Sequence, residues 1–418
     1  MDFLTWGYLI VAVALFFYVL ALIMSTPYFF YFYFDLREKK AQRNDNKGAN
    51  TRFAVLIPAR YEGSAIKPLL ESLRDNPYPK ELLDVYVITE TRADPVFALA
   101  QEYGFSSLAR QDDTLGVKTK GGALDDAYRQ LCKRGKEYDS FAIFDADNIV
   151  SKDFFVEMDK LRAQGYKVCL GLRDFTNRTD NWISATSALM LTLTANFSTA
   201  GRKHLADKGF VTGTGYCIDS SLIAEFGRWP FQGLTEDMEI NDFCLHRPDV
   251  RMGFTRFAPF YDEQPTDLST MHKQHLRWMF GYFTIMGEKF PKTTKIKNFL
   301  VAWEANLWGL FYIINLVVSS LAWMALLGLA IASIFVSFNP WLFVMFAAMF
   351  LFWIWEFDSV GLFLSLADLT KKPSLWIRTK TVLLFFIYML DYAFGFLEGL
   401  LFPHTWKTWT KIKHKAKE

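Results

Sequence analysis

The sequence predicts an α/β domain with a Rossmann-like sheet, flanked on both sides by transmembrane helices. Three observations lead to this fold class. Hydrophobic residues make up 51% of the 418 residues while charged residues reach 22%, a mixture unusual for a soluble enzyme or for a bundle of spans alone. The ends of the chain are apolar, whereas the middle alternates short apolar runs with amphipathic stretches. Acidic residues follow several of these runs, at the strand ends where such sheets bind ligands.

Residues 1–34 are expected to form a membrane anchor. The segment from Trp6 to Ile23 is apolar and uncharged, and aromatic residues continue to Phe34. A span needs about 20 such residues. A secretory signal would have a basic start and a small-residue cleavage site, and neither pattern occurs here. We therefore expect a retained anchor.

Residues 35–50 are expected to form a basic cytosolic linker. The stretch DLREKKAQRNDNK is basic on balance, and almost nothing charged precedes it. Because Lys and Arg are enriched on the cytoplasmic side of spans, the N-terminus is predicted outside and the chain after Asp35 in the cytosol. This orientation predicts a multi-pass protein of the plasma (inner) membrane.

Residues 51–282 are predicted to form a cytosolic α/β domain. Four apolar runs look like buried strands: Phe53–Ala59, Val85–Glu90, Ser140–Asp145 and Lys167–Leu172. Amphipathic stretches, expected to be helices, lie between the first three: Ser64–Arg74, Pro95–Tyr103 and Gly122–Arg134. Strands that alternate with helices predict parallel pairing in a doubly wound sheet.

The C-terminal third is predicted to return to the membrane. An interfacial segment, 283–303, leads into a region of about three helices, 304–402, and a basic tail, 403–418. The candidate spans are Leu307–Phe335, Trp341–Trp355 and Val382–Phe402. Counting spans places the lysine-rich tail outside, against the positive-inside rule. Either the rule fails here, or one segment lies in the interface or re-enters. Asp391 and Glu398, seven residues apart on one helical face, fit an interfacial or cavity-lining helix.

Composition excludes some classes of protein. The net charge of +2 gives no sign of the basic face of a nucleic-acid binder, so no nucleic-acid partner is expected. The four cysteines are far apart without metal-ligand spacing, and they are interpreted as reduced residues of a cytosolic domain.

Carboxylates at the predicted strand ends are the first candidates for chemistry. Asp145 and Asp147 follow the third predicted strand, and two such oxygen donors suit Mg²⁺ or Mn²⁺ bound together with a diphosphate. Aspartates also often follow strands simply because they favour turns. Glu90 ends the second strand, where an acid can accept a bond from a base or a ribose hydroxyl. Lys120, at a predicted helix start, is suited to bind phosphate.

Two later groups fit the same picture. Thr235, Glu236 and Asp237 look like a helix start with an N-cap and acids in the first turn, and Asp237 could act as a general base. Gln274, Arg277 and Trp278 share one helix face by their i, i+3, i+4 spacing. An arginine there can stabilise a leaving diphosphate, and a tryptophan can stack on a sugar. A helix anchored near the membrane would show similar residues.

Taken together, these motifs resemble the inverting family 2 glycosyltransferases, in the membrane branch of the cellulose, chitin and hyaluronan synthases. The family pattern of D, D-x-D, T/E-E-D and Q-x-x-R-W appears here as Glu90, Asp145-Ala146-Asp147, Thr235-Glu236-Asp237, and Gln274 with Arg277-Trp278. Further likenesses are IPARYEG, TKGGALDDAY, GTGYCID and YDEQPT. The resemblance implies a GT-A fold and a nucleotide-sugar donor.

The resemblance also implies a role for each matching residue. Asp237 would be the catalytic base, and Asp145 and Asp147 would hold Mg²⁺ or Mn²⁺. The implied donor-binding residues are Pro58, Glu90, Lys120, Asp145, Gln274 and Arg277. The implied acceptor-binding residues are Gly213, Thr214, Gly215, Glu236 and Trp278. The family usually has aspartate where this chain has Glu90, which makes the donor's identity less secure than the reaction.

Three functional hypotheses follow. The first is a polysaccharide synthase that uses a UDP-sugar. The second is a glycolipid synthase with a lipid acceptor arriving from the bilayer, because about four candidate spans are few for a secretion channel. The third is a non-catalytic membrane scaffold, disfavoured by the intact acids. The sequence leaves homo-oligomer formation open.

Overall fold

The computed structural model describes residues 2–40, 47–111, 119–288, 309–367 and 373–402. The strands are β1 Phe53–Ala59, β2 Leu83–Thr89, β3 Ser106–Ala109, β4 Ser140–Ile143, β5 Ile149–Val150, β6 Val168–Phe175, β7 Tyr216–Asp219 and β8 Met252–Asp262. The helices up to the end of the α/β domain are α1 Phe3–Met24, α2 Thr26–Lys40, α3 Lys67–Arg74, α4 Pro95–Glu102, α5 Lys120–Lys133, α6 Phe154–Ala163, α7 Trp182–Leu191, α8 Ser198–Ala206, α9 Ser220–Ala224, α10 Glu236–His246 and α11 Leu268–Glu288. The C-terminal helices are α12 Gly309–Val336, α13 Pro340–Ala367, α14 Leu375–Leu383 and α15 Phe385–Leu401.

The strands form one mixed sheet in the order β3-β2-β1-β4-β7-β6-β8-β5. The first half is parallel, as predicted: β1 pairs with β2 and β4, and β2 pairs with β3. The second half departs from the all-parallel expectation. β7 lies antiparallel between β4 and β6, and β5 pairs antiparallel with β8. The predicted α/β fold class is therefore confirmed, with a sheet that is parallel only in part.

Successive side chains of the central strands point to opposite faces of the sheet, and each face carries a hydrophobic core. Ala54 and Leu56 of β1 pack in a cluster that includes Leu124 of α5 and the buried Trp229. Phe53, Val55 and Ile57 point to the other face, in a cluster with α3 and α6. Helices therefore cover both faces, which accounts for the nearly continuous apolar sequence of β1.

Within the described residues, three helices are long and apolar enough to cross a membrane: Phe3–Ile23, Ile314–Val336 and Pro340–Phe363. A fourth candidate is the pair α14–α15, which bends by 43° between Leu383 and Phe385. The segment predicted as Val382–Phe402 is therefore a bent pair of helices, in which α14 starts earlier than expected. These four regions match the predicted apolar stretches in number and order.

Residues 35–40, assigned to a linker from their charge, instead continue α2, and this is a correction. The buried Asp35 pairs with Arg256 of β8, and Glu38 accepts from Lys203 Nζ at 2.8 Å. The acid–base pairs hold the segment against the α/β domain as a helix. The later part of the linker, Ala49–Thr51, donates backbone hydrogen bonds to the Asp159 carboxylate at 3.0 to 3.2 Å. Of the predicted interfacial segment, 283–288 belong to α11; the remainder and the tail 403–418 lie outside the described residues.

Candidate active site

A cavity of about 390 Å³ opens beside the carboxyl ends of β1, β2 and β4. Parallel pairing brings these ends to the same edge of the sheet, where open α/β sheets bind ligands. The predicted site residues that line the cavity are Pro58, Glu90, Lys120, Asp145, Asp147, Gly213, Glu236, Asp237, Gln274, Arg277 and Trp278. Residues up to 220 positions apart in sequence thus converge on one space.

Two of the predicted acceptor-binding residues do not line the cavity. Thr214 is buried behind the strand end, where its hydroxyl donates to Asn148 and accepts from the Asp145 backbone N–H at 2.9 Å. Gly215 has a φ of +66°, and a Cβ there would lie 2.1 Å from the Phe260 ring. Their positions indicate that Thr214 and Gly215 shape the loop rather than touch an acceptor, which corrects the prediction.

Lys120 lies at the centre of the acidic groups. Its Nζ is 2.5 Å from Asp145 Oδ1 and 3.4 Å from Glu236 Oε1, and it donates to the Gly213 carbonyl at 2.6 Å. Burial by itself would lower the pKa of Lys120, but the charges of Asp145 and Glu236 outweigh it and the net pKa is raised. Lys120 therefore stays a cation that joins the D-x-D segment to the start of α10.

Close packing explains why a glycine follows Lys120. The helix α5 begins at Lys120 with Thr119 as its N-cap, whose hydroxyl oxygen accepts from the Gly122 N–H at 3.0 Å. A Cβ at Gly121 would lie 2.0 Å from the Phe231 carbonyl oxygen. A larger residue there would push α5 away from this loop, so the glycine allows the close approach that brings Lys120 into the cavity.

Glu236 and Asp237 occupy the first turn of α10, as predicted, although Thr235 makes no side-chain capping bond. Burial raises the pKa of Glu236 to about 7, with Lys120 acting in the opposite direction. Burial also raises the pKa of Asp237, while the positive charge of Lys120 limits the effect. Two adjacent acids in one desolvated cavity are suited to proton transfer near neutral pH.

An ion pair that the sequence did not single out lies beside the D-x-D segment. Arg173 at the end of β6 donates to Asp262 with Nε at 3.0 Å and also with Nη2, and its Nη1 donates to the Thr212 carbonyl at 2.6 Å. Burial raises the pKa of Asp147 well above its ordinary value, and the nearby charges of Asp145 and Asp262 act in the same direction. Asp262 lies in the YDEQPT segment, a sequence motif from which it could have been identified. Its partner Arg173 lies in no such motif.

The D-x-D carboxylates fit a divalent cation bound together with a substrate diphosphate. Among the described residues, no three His, Cys, Asp or Glu side chains form a ready-made metal site. Magnesium commonly uses one or two carboxylates and takes its other ligands from phosphate and water. Asp145 and Asp147 both line the cavity, and the unfavourable burial of Asp147 beside other acids is the kind of charge that a cation would relieve.

At the donor end of the cavity, Pro58 lies at the end of β1 and Glu90 follows β2. Glu90 Oε1 lies 3.1 Å from Arg110 Nη1, and both side chains are largely buried. Arg110 was not predicted from the sequence, and it also lines the cavity. The pair places a carboxylate and a guanidinium side by side in the wall of the cavity.

Another part of the wall is built by α11, which presents Gln274, Arg277 and Trp278 to the cavity as their spacing predicted. Trp278 packs against a small cluster that contains Phe175 and Leu191. Gln274 Oε1 is buried and has no hydrogen-bond partner within the described part of the chain. This face therefore offers a free acceptor atom, a cation and an aromatic ring.

The C-terminal helix α15 adds two cavity residues that the sequence did not predict, Tyr388 and Tyr392. The buried His275 of α11 stacks on Tyr392 with ring centroids 3.9 Å apart and meets Tyr388 edge-on at 4.6 Å. His275 Nδ1 lies 2.6 Å from Asp391 Oδ2. The helix with the Gln/Arg/Trp face is thus fixed directly to α15.

The family model described as "Glycosyltransferase like family 2" matches residues 50–281. The matched region contains the cavity residues of the α/β domain and covers more than half of the chain. The chain belongs to this family of glycosyltransferases. It is therefore a transferase with a GT-A-like fold.

The proteins similar to this chain include one curated relative and one solved structure. The probable glycosyltransferase YdaM of Bacillus subtilis (strain 168) is 21% identical over 261 residues, 59% of each protein. The chain thus spans less than two thirds of that relative's length. The fold is similar to that of the mannosyltransferase PcManGT from Pyrobaculum calidifontis, solved with GDP-Man and Mn²⁺: the TM-score is 0.56 at 15% identity, covering 91% of this chain and 99% of that chain.

Proposed function

We propose that this family 2 glycosyltransferase transfers glucose or N-acetylglucosamine from a UDP-sugar to an acceptor hydroxyl with inversion. The reaction takes place at the cytosolic face of the plasma (inner) membrane and extends a β-linked polysaccharide. One observation carries the proposal: the D-x-D acids, Lys120, the Glu-Asp pair and the Gln/Arg/Trp face all border one cavity. A non-catalytic scaffold would not need these groups to converge.

The reaction begins with the acceptor hydroxyl. Asp237 accepts its proton, and the resulting nucleophile attacks the anomeric carbon as the bond to the nucleoside diphosphate breaks. Attack opposite an α-linked leaving group gives a β-linkage. Asp237 is half-buried in the cavity wall formed by the first turn of α10, near Gly213, so we assign it to the space where donor and acceptor meet.

The leaving diphosphate carries charge that the site must stabilise. Arg277 and Lys120, which both line the cavity, supply fixed positive charge. Asp145 and Asp147 would hold Mg²⁺ or Mn²⁺, which when bound neutralises the diphosphate. The similar mannosyltransferase was solved with Mn²⁺, which supports this choice of ion. Gln274 and Pro58 border the donor, and Glu90 with Arg110 contacts the nucleoside.

Acceptor contacts are assigned to the wall that includes Gly213, Glu236 and Trp278. Tryptophan provides a flat apolar surface for a sugar ring, with a donor at its edge. Tyr388 and Tyr392 extend this wall with two more aromatic rings. An aromatic wall of this kind suits the terminal sugars of a growing chain.

A lipid acceptor is the second candidate. Tyr388 and Tyr392 belong to α15, which is part of a candidate membrane element, so the acceptor wall is continuous with the membrane region. The same donor site would then glycosylate a lipid head group once or a few times.

A donor panel with product sizing tests the proposal and separates the two candidates. Purified protein with Mg²⁺ or Mn²⁺ is incubated with UDP-sugars and with GDP-mannose, and released nucleoside diphosphate and labelled product are measured. A polymer from one UDP-sugar is the expected result. One organic-soluble product, formed only when lipid is added, would favour the lipid acceptor. Release from GDP-mannose alone would contradict the UDP assignment, and no release from any donor would contradict the function.

A further inference from the structure

We propose that the bent pair α14–α15 does not cross the bilayer. It lies at the membrane surface on the side of the catalytic domain, and its outward face contacts lipid head groups. This inference concerns membrane topology and does not depend on the reaction. It rests on what α15 touches, on the direction of the three spans, and on the exposed face of α14.

The helix α15 packs along α11, which belongs to the catalytic domain. His272 Nδ1 lies 2.8 Å from Asp391 Oδ1, and its Nε2 lies 3.1 Å from Glu398 Oε2. A Cβ at Gly395 would lie 3.3 Å from Leu276 Cδ2. Contacts from Asp391 to Glu398 cover two turns, or roughly 10 Å of α15. The two helices therefore share the same depth relative to the membrane.

The composition of α11 excludes the hydrocarbon region at that depth. Beside its contacts with α15 the helix carries the exposed Lys273, and its Gln274 and Arg277 line the cavity of the catalytic site. The exposed Lys273 would face lipid at the bilayer centre, where a charged side chain costs several kcal/mol. Since α11 stays at or above the head groups, the part of α15 bound to it does as well.

The direction of the spans identifies which of their ends α15 touches. A Cβ at Gly7 of α1 would lie 3.1 Å from Leu342 of α13, and Tyr18 of α1 meets Phe352 of α13 with centroids 4.9 Å apart. The two helices therefore run parallel. Because α1 leads into α2, where Asp35 pairs with Arg256 of β8, the C-terminal ends of α1 and α13 lie at the catalytic domain.

In the described apolar clusters, α15 packs with the domain-side halves of α12 and α13 and reaches as far as Trp353, at the middle of α13. One cluster contains, from the three helices, Leu316, Val317, Trp353, Phe357, Phe385, Tyr388, Met389 and Ala393. A separate cluster, further from the catalytic domain, joins Leu326 of α12 and Met349 of α13 to Ala14 of α1. Asp358 of α13 also accepts from the Phe386 N–H at 3.3 Å, so it satisfies a backbone donor at the bend. A helix crossing the bilayer would instead follow its neighbours over their length.

The exposed side of α14 has the composition of a membrane interface. Leu375 and Trp376 are 78% and 67% exposed, and Lys380 Nζ lies 4.7 Å from the Trp376 ring centroid. Tryptophan with basic residues beside apolar ones is typical of helices that lie at the head-group level. Arg378 of α14 donates to Ser365 Oγ of α13 at 3.3 Å, so α14 lies beside the domain-side end of a candidate span, which is why we assign its exposed face to lipid rather than to a second protein.

The inference removes the conflict over topology. With three crossings, Phe402 falls on the same side as the catalytic domain, which removes the exception to the positive-inside rule that a fourth crossing would require. It also places Tyr388 and Tyr392, and with them one wall of the cavity, at the membrane surface.

Labelling of single cysteines in vesicles of known orientation tests the topology. Native Cys132 is exposed on the catalytic domain, whereas the other three cysteines are buried. In a Cys132→Ser background, Phe402→Cys reports the end of α15, and Phe338→Cys reports the turn between α12 and α13; the native residues are 58% and 67% exposed. Size-exclusion profiles matching the parent confirm that the variants fold.

We expect an impermeant maleimide to label Phe402→Cys in the vesicle orientation that labels Cys132, and Phe338→Cys in the opposite one. Labelling of Phe402→Cys from the same side as Phe338→Cys would overturn the proposal. A spin label on Leu375→Cys in nanodiscs tests the lipid contact, with accessibility to oxygen expected. Shielding from both oxygen and a water-soluble nickel reagent would mean that protein covers α14, which refutes the lipid assignment.

Discussion

Lys120 holds the acidic groups of the cavity together, so Lys120→Met should lower stability in a way that depends on pH. The substitution removes the cation near Asp145 and Glu236 and keeps a similar length of apolar chain. Removing one partner of a buried ion pair costs about 3 to 5 kcal/mol. Because the Asp145 side chain is 41% exposed, we expect the lower end, about 3 kcal/mol at pH 8.

The sign of the pH dependence follows from Glu236. Its pKa in the folded protein, about 7, lies above its ordinary value of 4.5, so the folded state keeps a proton that the unfolded state releases between these values. Stability contributed by this group therefore falls as the pH rises through that window. Lys120 opposes the raised pKa, so its loss should raise the pKa of Glu236 further and extend the fall to higher pH.

Thermal melting of the detergent-solubilised protein between pH 5 and pH 8 measures the effect. A loss of about 3 kcal/mol corresponds to roughly 6 to 12 °C in Tm for a domain of this size. The matched control is Lys67→Met, because Lys67 is exposed and also begins a helix, α3. A Tm difference that does not change with pH, or one equal to that of the control, would refute the role given to Lys120.

Three further predictions follow from the site and its supports. Gly215→Ala should lower Tm more than Gly227→Ala: both have φ near +65°, but only at Gly215 does the new Cβ meet the Phe260 ring; equal losses would contradict this. Asp358→Leu should cost about 1 to 3 kcal/mol, seen as a lower Tm, because the Phe386 N–H loses its acceptor, while Asp358→Asn keeps an oxygen and should cost less. Chelation by EDTA should abolish nucleoside diphosphate release and added Mg²⁺ or Mn²⁺ should restore it; release that persists in EDTA would contradict the metal assignment.

Much of the fold could be predicted because the strands and helices of its first half are specified by short-range sequence patterns. β1, β2 and β4 are continuous apolar runs separated by amphipathic helices, so period and length identify them. β7 has four residues and lies in the GTGYCID segment, whose sequence gives no sign of direction. Its antiparallel insertion between β4 and β6 depends on tertiary packing, which short-range patterns do not encode.

The site residues that belong to recognisable motifs were predicted. Those brought to the site only by the pairing of strands or helices distant in sequence were missed. Asp145 and Arg277 stand in recognisable patterns, and the structure places both at the cavity. Arg173 meets Asp262 because β6 and β8 pair in register, Phe175 opposite Asp262, a contact between residues 89 positions apart. Tyr388 lies in an apolar run with the composition of a span, so nothing in the sequence pointed to the cavity.

The central claim is that the cavity performs glycosyl transfer with Asp237 as the base. The most direct test is the turnover of Asp237→Asn, measured as product formed from the donor identified by the panel, alongside donor binding. Asp180→Asn, which changes an exposed aspartate outside the cavity, is the matched control. We predict that Asp237→Asn keeps donor affinity and loses about 10² to 10⁴ in turnover, while the control is unchanged. Near-normal turnover in Asp237→Asn would contradict the account.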